Sequence, residues 1–368
     1  MRILFPELDT PSLLIEKSIL EKNISDMQTL MDKYNVKLRP HIKTHKSLEL
    51  AKMQINAGAV GIACAKVSEA MVFADAGFKD IQIANILIGD KKLENLFYLQ
   101  KNIDKLSCCV DSIDNARILA DFFDNRNKKM DVMIIVDCGY HRCGFSDYSQ
   151  ILKLAQYIKK RNSLNLIGIT THAGQSYSAQ SNEERLNIAS HEGNLMVHYA
   201  NKLRKDGIAI QDVTIGSNPT ARESCKVKGV TEIRSGNYIF NDLIQVSLGT
   251  VKINRCALTV LSQVISIPSK TRVIIDAGSK TFSSDKGAHG NENLIGFGHI
   301  IGKNAIIERL SEEHGIIKSN NEKFKIEERL RIIPNHACTT TNSFEKAYIV
   351  DRNKVIKEIS ISARGKIK

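Results

Sequence analysis

From about residue 30 the chain alternates short β-branched apolar runs with longer stretches whose apolar residues recur three and four apart. The runs fall at 36–40, 60–65, 81–86, 105–111, 131–137, 166–172, 212–216 and 232–238, and they read as eight strands. Stretches such as 68–76 and 151–159 between them read as amphipathic helices. Strand–helix alternation predicts a parallel sheet, and eight repeats predict a closed, TIM-like (β/α)8 barrel. An open doubly wound sheet is the alternative; the lack of a Gly-x-Gly-x-x-Gly after an early strand counts against it. Past residue 245 the helical period fades. Short alternating runs at 246–251, 256–267, 271–276 and 346–350, separated by Gly- and Asn-rich turns, predict an antiparallel β domain. The expected division is an α/β barrel over 1–245 and a β domain over 246–368, the first ~10 residues being able to join the latter. The charged, Asn-rich segment 318–328 is expected to be a solvated loop or hairpin tip.

Composition narrows the function classes. At 368 residues with 42% hydrophobic and 25% charged content, the chain can bury a sizeable core. It has no apolar run near the ~18 residues a membrane helix needs. Pro6, Glu7 and Asp9 interrupt the apolar N-terminal start, so no signal peptide is expected and the cytoplasm is the expected compartment. A net charge of +12 raises the question of nucleic acid. The basic residues are scattered, however, with no Trp and no aromatic-interleaved stripe, so nucleic-acid binding is not expected. Eight cysteines (64, 108, 109, 138, 143, 225, 256 and 338) form no Cys-x-x-Cys pair, which argues for reduced thiols rather than a disulfide framework.

Candidate chemistry collects where the predicted strands end, the face on which barrels carry their active sites. The first strand runs into Arg39-Pro40-His41-Ile42-Lys43-Thr44-His45-Lys46. In an extended chain His41, Lys43 and His45 would share one face. Neighbouring bases and desolvation would then depress the Lys43 pKa and suit it to attack a carbonyl. Gly216-Ser217 and Gly236-Asn237, at the ends of strands seven and eight, can present backbone N–H groups to a phosphate, with Ser217 and Thr220 adding hydroxyls. Near the C-terminus, His336 and Cys338 at i and i+2 would point the same way in an extended chain. Two such ligands suit an open metal site better than a structural one.

The segment from Arg39 to Lys46 resembles the cofactor-lysine segment of the fold-type III pyridoxal phosphate enzymes, in the D-serine dehydratase and D-threonine aldolase branch that shares an alanine racemase-like barrel. The resemblance implies that Lys43, rather than its neighbour Lys46, binds the pyridoxal 5'-phosphate. It also implies that Arg142 faces the cofactor's phenolic oxygen, and that either Arg234 or Tyr177 faces its pyridine nitrogen. Residues 216–220 resemble the family's phosphate loop, and His336 with Cys338 its metal motif. D-threonine aldolases typically carry Asp at the second position. A thiolate there follows the dehydratase pattern and favours Zn2+ over Mn2+ or Mg2+. Ser311 to Gly315 resembles a further segment of the second domain and brings His314 into consideration.

The implied activity is a lyase for small D-3-hydroxy amino acids, with dehydration to a 2-oxo acid and ammonia preferred. Retro-aldol cleavage, with a base such as His172, is the alternative. A racemase and a non-enzymatic cofactor carrier are the remaining rivals. A homodimer is expected from the family.

Overall fold

The computed structural model describes residues 4–287 and 294–368, so residues 1–3 of the N-terminal stretch lie outside the described residues. The chain opens with β1 (Ser12–Glu16) and α1 (Lys17–Lys33). Barrel units then follow: β2 (Lys37–Leu38), α2 (Leu48–Asn56), β3 (Ile62–Cys64), α3 (Val67–Asp75), β4 (Asp80–Ile86) and α4 (Asp90–Asn102). The next are β5 (Lys105–Val110), α5 (Ile113–Asp124), β6 (Met130–Ile135), α6 (Tyr148–Lys159), β7 (Leu164–Thr171) and α7 (Asn182–Lys205). The barrel ends with β8 (Asp212–Ile215), α8 (Asn218–Ser224) and β9 (Glu232–Ile233).

All eight expected runs are strands, in the parallel order β2-β9-β8-β7-β6-β5-β4-β3. A parallel bridge between His41 and Ala63 closes the ring. Val60 N–H to Leu38 O (3.0 Å) and Ala63 N–H to Pro40 O (2.9 Å) support that closure. The strand interior and inner helix faces form one apolar cluster, with Ile62, Ile83, Val132 and Ile169 against Phe73, Leu96, Phe123 and Leu154. Each such fully buried side chain contributes about 1.5–3 kcal/mol.

After α9 (Leu243–Ser247) come β10 (Leu258–Ser269), β11 (Arg272–Ile275), α10 (Ser279–Phe282), β12 (His299–Ile300), β13 (Ile306–Leu310) and β14 (Gly315–Lys318). The chain finishes with β15 (Arg329–Ile333), α11 (Ala337–Ser343), β16 (Lys346–Asp351) and β17 (Lys354–Ser360). Their sheet runs β11-β14-β13-β12-β15-β10-β1-β16-β17, and a further β10–β11 pairing closes its first six strands on themselves. β1, the first strand of the chain, pairs antiparallel with β10 and parallel with β16. One apolar cluster joins the two domains: Leu13 and Ile15 of β1, Leu20 of α1 and Leu50 of α2 meet Phe240, Val260, Ile332 and Ala337. Among the described residues no helix is long and apolar enough to cross a membrane.

Two local expectations are corrected. Residues 246–251 are not a strand: Asp242 caps α9 by accepting from Gln245 N–H, and Ile244, Gln245 and Leu248 bury one helical face. The chain at 41–45 is not extended either, since a 3-10 turn occupies Ile42–Thr44.

On the opposite, N-terminal face of the barrel, Arg39 binds Glu232 (2.9 Å) and Asp80 (2.5 Å). Glu232 is only 3% exposed, and burial raises its pKa against the pull of Arg39. Arg39→Met should cost about 3–5 kcal/mol, because it strands a buried carboxylate. A carboxylate whose folded pKa is raised binds its proton more tightly in the folded state, so the deficit should shrink as pH falls. Urea titrations at pH 8 and pH 5 test this; equal deficits at both would contradict it.

Candidate active site

The site begins where β2 stops. His41 N–H donates to Ser235 O (3.1 Å), after which Pro40 and the ring closure leave the chain no partner strand to follow. His45 N–H (3.1 Å) and Lys46 N–H (2.8 Å) both turn back to Ile42 O, giving the 3-10 turn that lifts Lys43 into the barrel mouth. The turn separates the three bases expected on one face. His41 and Lys43 face the cavity, whereas His45 is fully buried, bonded through Nε2 to Gln54 Oε1 (3.1 Å) and through Nδ1 to Ser47 N–H (3.1 Å). Burial lowers the His45 pKa to about 4. Lys46 points the other way, ion-paired to the buried Glu69 at 2.7 Å.

Lys43 stands in the open space of the cavity and keeps accessible surface, but protein surrounds it. That enclosure lowers its ammonium pKa; Arg142 and Arg234 push the same way, while Cys338 and Glu69 oppose. Burial, with Lys43 and Arg234 nearby, holds His41 neutral, well below the usual imidazole range.

Lys43, His41, His172, Gly216 and Arg234 line two adjoining chambers of about 270 and 360 Å³. The first adds Asn85, Cys109 and Arg142 from the barrel strands and loops. The second adds Tyr177, Asn218, Gly236, Asn237, His336 and Cys338. A larger hollow of about 800 Å³ lies away from these groups, among the strand starts at Val36, Gln211 and Thr231, the face that serves barrel stability rather than chemistry.

Several approaches shape the first chamber. Gly216 has no Cβ because one would sit 2.7 Å from the Arg234 guanidinium. Arg234 donates to Thr170 Oγ1 (2.6 Å) and Thr171 O (2.9 Å), and burial lowers its pKa. His172 Nδ1 donates to Gly216 O, so that this nitrogen carries a proton. Tyr140 packs edge-on to His172 (5.8 Å) and lies 5.5 Å from the Arg142 guanidinium.

The phosphate-type loops are only partly as expected. Gly236, Asn237 and Asn218 line the second chamber. A Cβ on Gly236 would collide with the carbonyl of His41, so glycine lets this loop pass beneath the Lys43 turn. Ser217 and Thr220 do not present hydroxyls to the cavity. Ser217 Oγ bonds Ser176 Oγ (3.0 Å) and Ala173 O (3.1 Å), and Thr220 Oγ1 donates to Glu192 Oε2 (2.6 Å). The reason is that α8 starts at Asn218, which rotates Thr220 onto α7. Tyr177 lies in a 3-10 turn over residues 174–178, with burial raising its phenol pKa.

His336 and Cys338 are not on a strand. His336 is the N-cap of α11 and Cys338 lies in its first turn, yet the two side chains still meet across that turn. Asp285 Oδ2 accepts from His336 Nδ1 (2.7 Å), and Cys338 Sγ lies 3.3 Å from Thr44 Oγ1. Burial opposes the imidazolium, but Cys338 and Asp285 outweigh it and raise the His336 pKa to about 10. Burial likewise opposes the thiolate, and His336, Thr44 and Lys43 together bring the Cys338 pKa down. Among the described residues no group of three His, Cys, Asp or Glu side chains forms a closed metal site. His314 sits on the exposed turn between β13 and β14, its Nδ1 3.5 Å from Ser311 Oγ, and does not line the cavity.

Sequence reasoning did not single out Asn218, Tyr140 or Asp285. Asn218 lies inside the 216–220 segment and Tyr140 two residues before Arg142; Asp285 is about fifty positions from His336, with no spacing signal.

Two family profiles match the chain. The profile "Alanine racemase, N-terminal domain" covers residues 15–243, and "Putative serine dehydratase domain" covers residues 257–350. A D-threonine aldolase from an Arthrobacter species is 33% identical over 97% of this chain and 93% of its own. A D-serine dehydratase from Dictyostelium discoideum is 31% identical over 95% of each. The solved D-threo-3-hydroxyaspartate dehydratase from Delftia sp. HT23 superposes with a TM-score of 0.91 at 31% identity, covering 98% of this chain and 99% of that one. A cysteine-to-alanine mutant of that dehydratase has been solved in a metal-free form.

Lys46→Met tests the separation of the two lysines. It should destabilise the fold by about 3–5 kcal/mol, since Glu69 loses its cation inside the protein. Adding Glu69→Leu should restore most of that loss. A single variant that costs under about 1 kcal/mol by urea denaturation would contradict the pairing.

Proposed function

The chain belongs to the family of D-serine dehydratases and D-threonine aldolases built on an alanine racemase-type barrel, and from that membership we propose a pyridoxal phosphate-dependent lyase for small D-3-hydroxy amino acids, dehydration being the preferred reaction. The observation that carries the preference is the pair His336 and Cys338, thiolate-favouring and facing the same chamber as Lys43. Retro-aldol cleavage, with His172 as base, is the second reading; the place of His172 in both chambers beside Lys43 supports it.

The donor set fits the cofactor. Backbone N–H groups around Gly236 and Asn237 would receive the phosphate, Arg142 the phenolic oxygen, and Lys43 the carbonyl carbon. Either Arg234 or Tyr177 would face the ring nitrogen; both already hold protein partners, Arg234 at Thr170 and Thr171 and Tyr177 at Asn218 and Gln245. Bound pyridoxal phosphate supplies an electron sink that acidifies Cα–H. Lys43, its amine kept available by enclosure, is placed to take that proton. The fit to a divalent cation is also good. Asp285 on Nδ1 orients the His336 ring, and Cys338 is already biased toward the thiolate that a metal takes. Zn2+ is the proposed ion, as thiolate ligands favour it, and as a Lewis acid it would assist departure of the β-hydroxyl. A homodimer is proposed on the family resemblance alone.

Product analysis with D-serine, D-threonine and D-threo-3-hydroxyaspartate separates the readings. Pyruvate, 2-oxobutanoate or oxaloacetate with ammonia is expected, whereas glycine would move the aldolase reading to first place. Borohydride should fix the cofactor to the peptide containing Lys43, specifically at that residue; label on Lys46 would refute the assignment. A chelator or Cys338→Ser should cut dehydration at least about 100-fold while the bound-cofactor absorbance persists. Undiminished turnover after metal removal would discard the metal-assisted reading.

A further inference from the structure

We infer that Asp242 couples the phosphate end of the cavity to the His336–Cys338 pair, so that pyridoxal phosphate and a divalent cation each tighten the binding of the other. The inference rests on the reading above that both bind in this cavity.

Asp242 is fully buried and uses both oxygens. Oδ1 accepts from Gln245 N–H (3.1 Å), which starts α9. Oδ2 accepts twice: from Asn237 Nδ2 (2.7 Å) and from the N–H of Ala337 (2.9 Å). Asn237 opens the 3-10 turn that lines the phosphate end, and Ala337 is the residue between His336 and Cys338. One oxygen atom is therefore held in common by the phosphate loop of the barrel and the first turn of the helix that carries the metal pair. The other phosphate loop reaches the same place. Asn218 Nδ2 donates to Gln245 Oε1 (2.7 Å), and Ser235 Oγ donates to Asn218 Oδ1.

A phosphate bound at Gly236 and Asn237 must fix that turn, and with it the Asn237 amide on Oδ2. A cation on His336 and Cys338 must fix the first turn of α11, and with it the Ala337 N–H on the same oxygen. The ligand that arrives first orders the shared carboxylate and bears the entropy cost; the second binds a cradle already set. Thermodynamic linkage makes the two enhancements equal.

The test uses protein stripped of cofactor and metal. Zinc affinity is measured with a chromophoric competing chelator, with and without saturating pyridoxal phosphate; cofactor affinity is measured by absorbance, with and without zinc. Wild-type protein should show the same enhancement in both directions, about five- to tenfold. Asn237→Ala removes one donor to Oδ2 and leaves Ala337 in place; whatever it does to the cofactor affinity itself, it should bring the enhancement to within about twofold of unity. Asp242→Ala, which removes the shared oxygen, should do the same. A variant with merely general structural damage would weaken both affinities yet keep their ratio. Binding of both ligands to wild type without linkage overturns the coupling alone, as does linkage that survives in both variants. Failure of wild type to bind zinc or pyridoxal phosphate overturns the functional reading and the coupling with it.

Discussion

Ring closure between the first and last strands of the barrel is the constraint on which the site depends. β2 has only two residues, and the pairing of this edge with β9 and with β3 is used up by Pro40 and His41. With His41 N–H committed to Ser235 O, the next residues have no ladder to extend and fold into a turn. That turn sets Lys43 above the barrel axis and buries Ile42, Thr44 and His45 beneath it. Gly236 serves the same closure from the other side, because any side chain there would push against the carbonyl of His41. The Lys43 turn and the Gly236 loop are thus two products of one backbone contact.

The cavity that results is short of negative charge. Lys43, Arg142 and Arg234 share it with His41 and His172, and the cations act on one another as like charges. Burial eases the conflict by disfavouring the charged forms of Lys43 and His41 beside the two guanidinium groups. A site of this kind is prepared for an anion at its centre and for a nucleophilic amine beside it. The second chamber sets Cys338 and Asp285 against it, so that it suits a cation. Opposite preferences in adjoining chambers give the cavity a direction along which a substrate can be oriented.

Much of this was legible in the residues, and the exceptions share a cause. The eight β-branched runs all proved to be strands, because the parallel strands of a barrel are buried on both faces and read as continuous apolar segments. The short strands β12 to β15 and the N-terminal β1 escaped notice, since two to five residues carry too little periodicity. Side-chain direction was the other failure. At 41–45 and at 336–338 extended geometry was assumed where turns and a helix start occur, and Ser217 and Thr220 were aimed at the cavity though α8 rotates them into the protein. In each case tertiary closure, not local preference, decided the backbone. Lys43 and the His336–Cys338 pair nevertheless reached the cavity, because a tight turn and a helix N-terminus also bring near neighbours together.

The place of β1 explains why two domains are needed for one cavity. Thr44 belongs to the barrel and Cys338 to the β domain, yet their Oγ1 and Sγ lie 3.3 Å apart. A separation of that order survives only if the domains cannot rock, and the shared apolar cluster supplies the rigidity. β1 leads directly into α1 of the barrel but pairs with β10 and β16, so the chain crosses the seam before the barrel begins. Leu13 and Ile15 then pack in the same cluster as Phe240 and Ala337, the latter being the residue between His336 and Cys338. Burying those groups contributes about 1.5–3 kcal/mol apiece, enough for the seam to behave as core rather than as a hinge. The geometry of Cys338 relative to Lys43 is therefore set by hydrophobic packing, and the polar groups of the cavity are free to be arranged for chemistry.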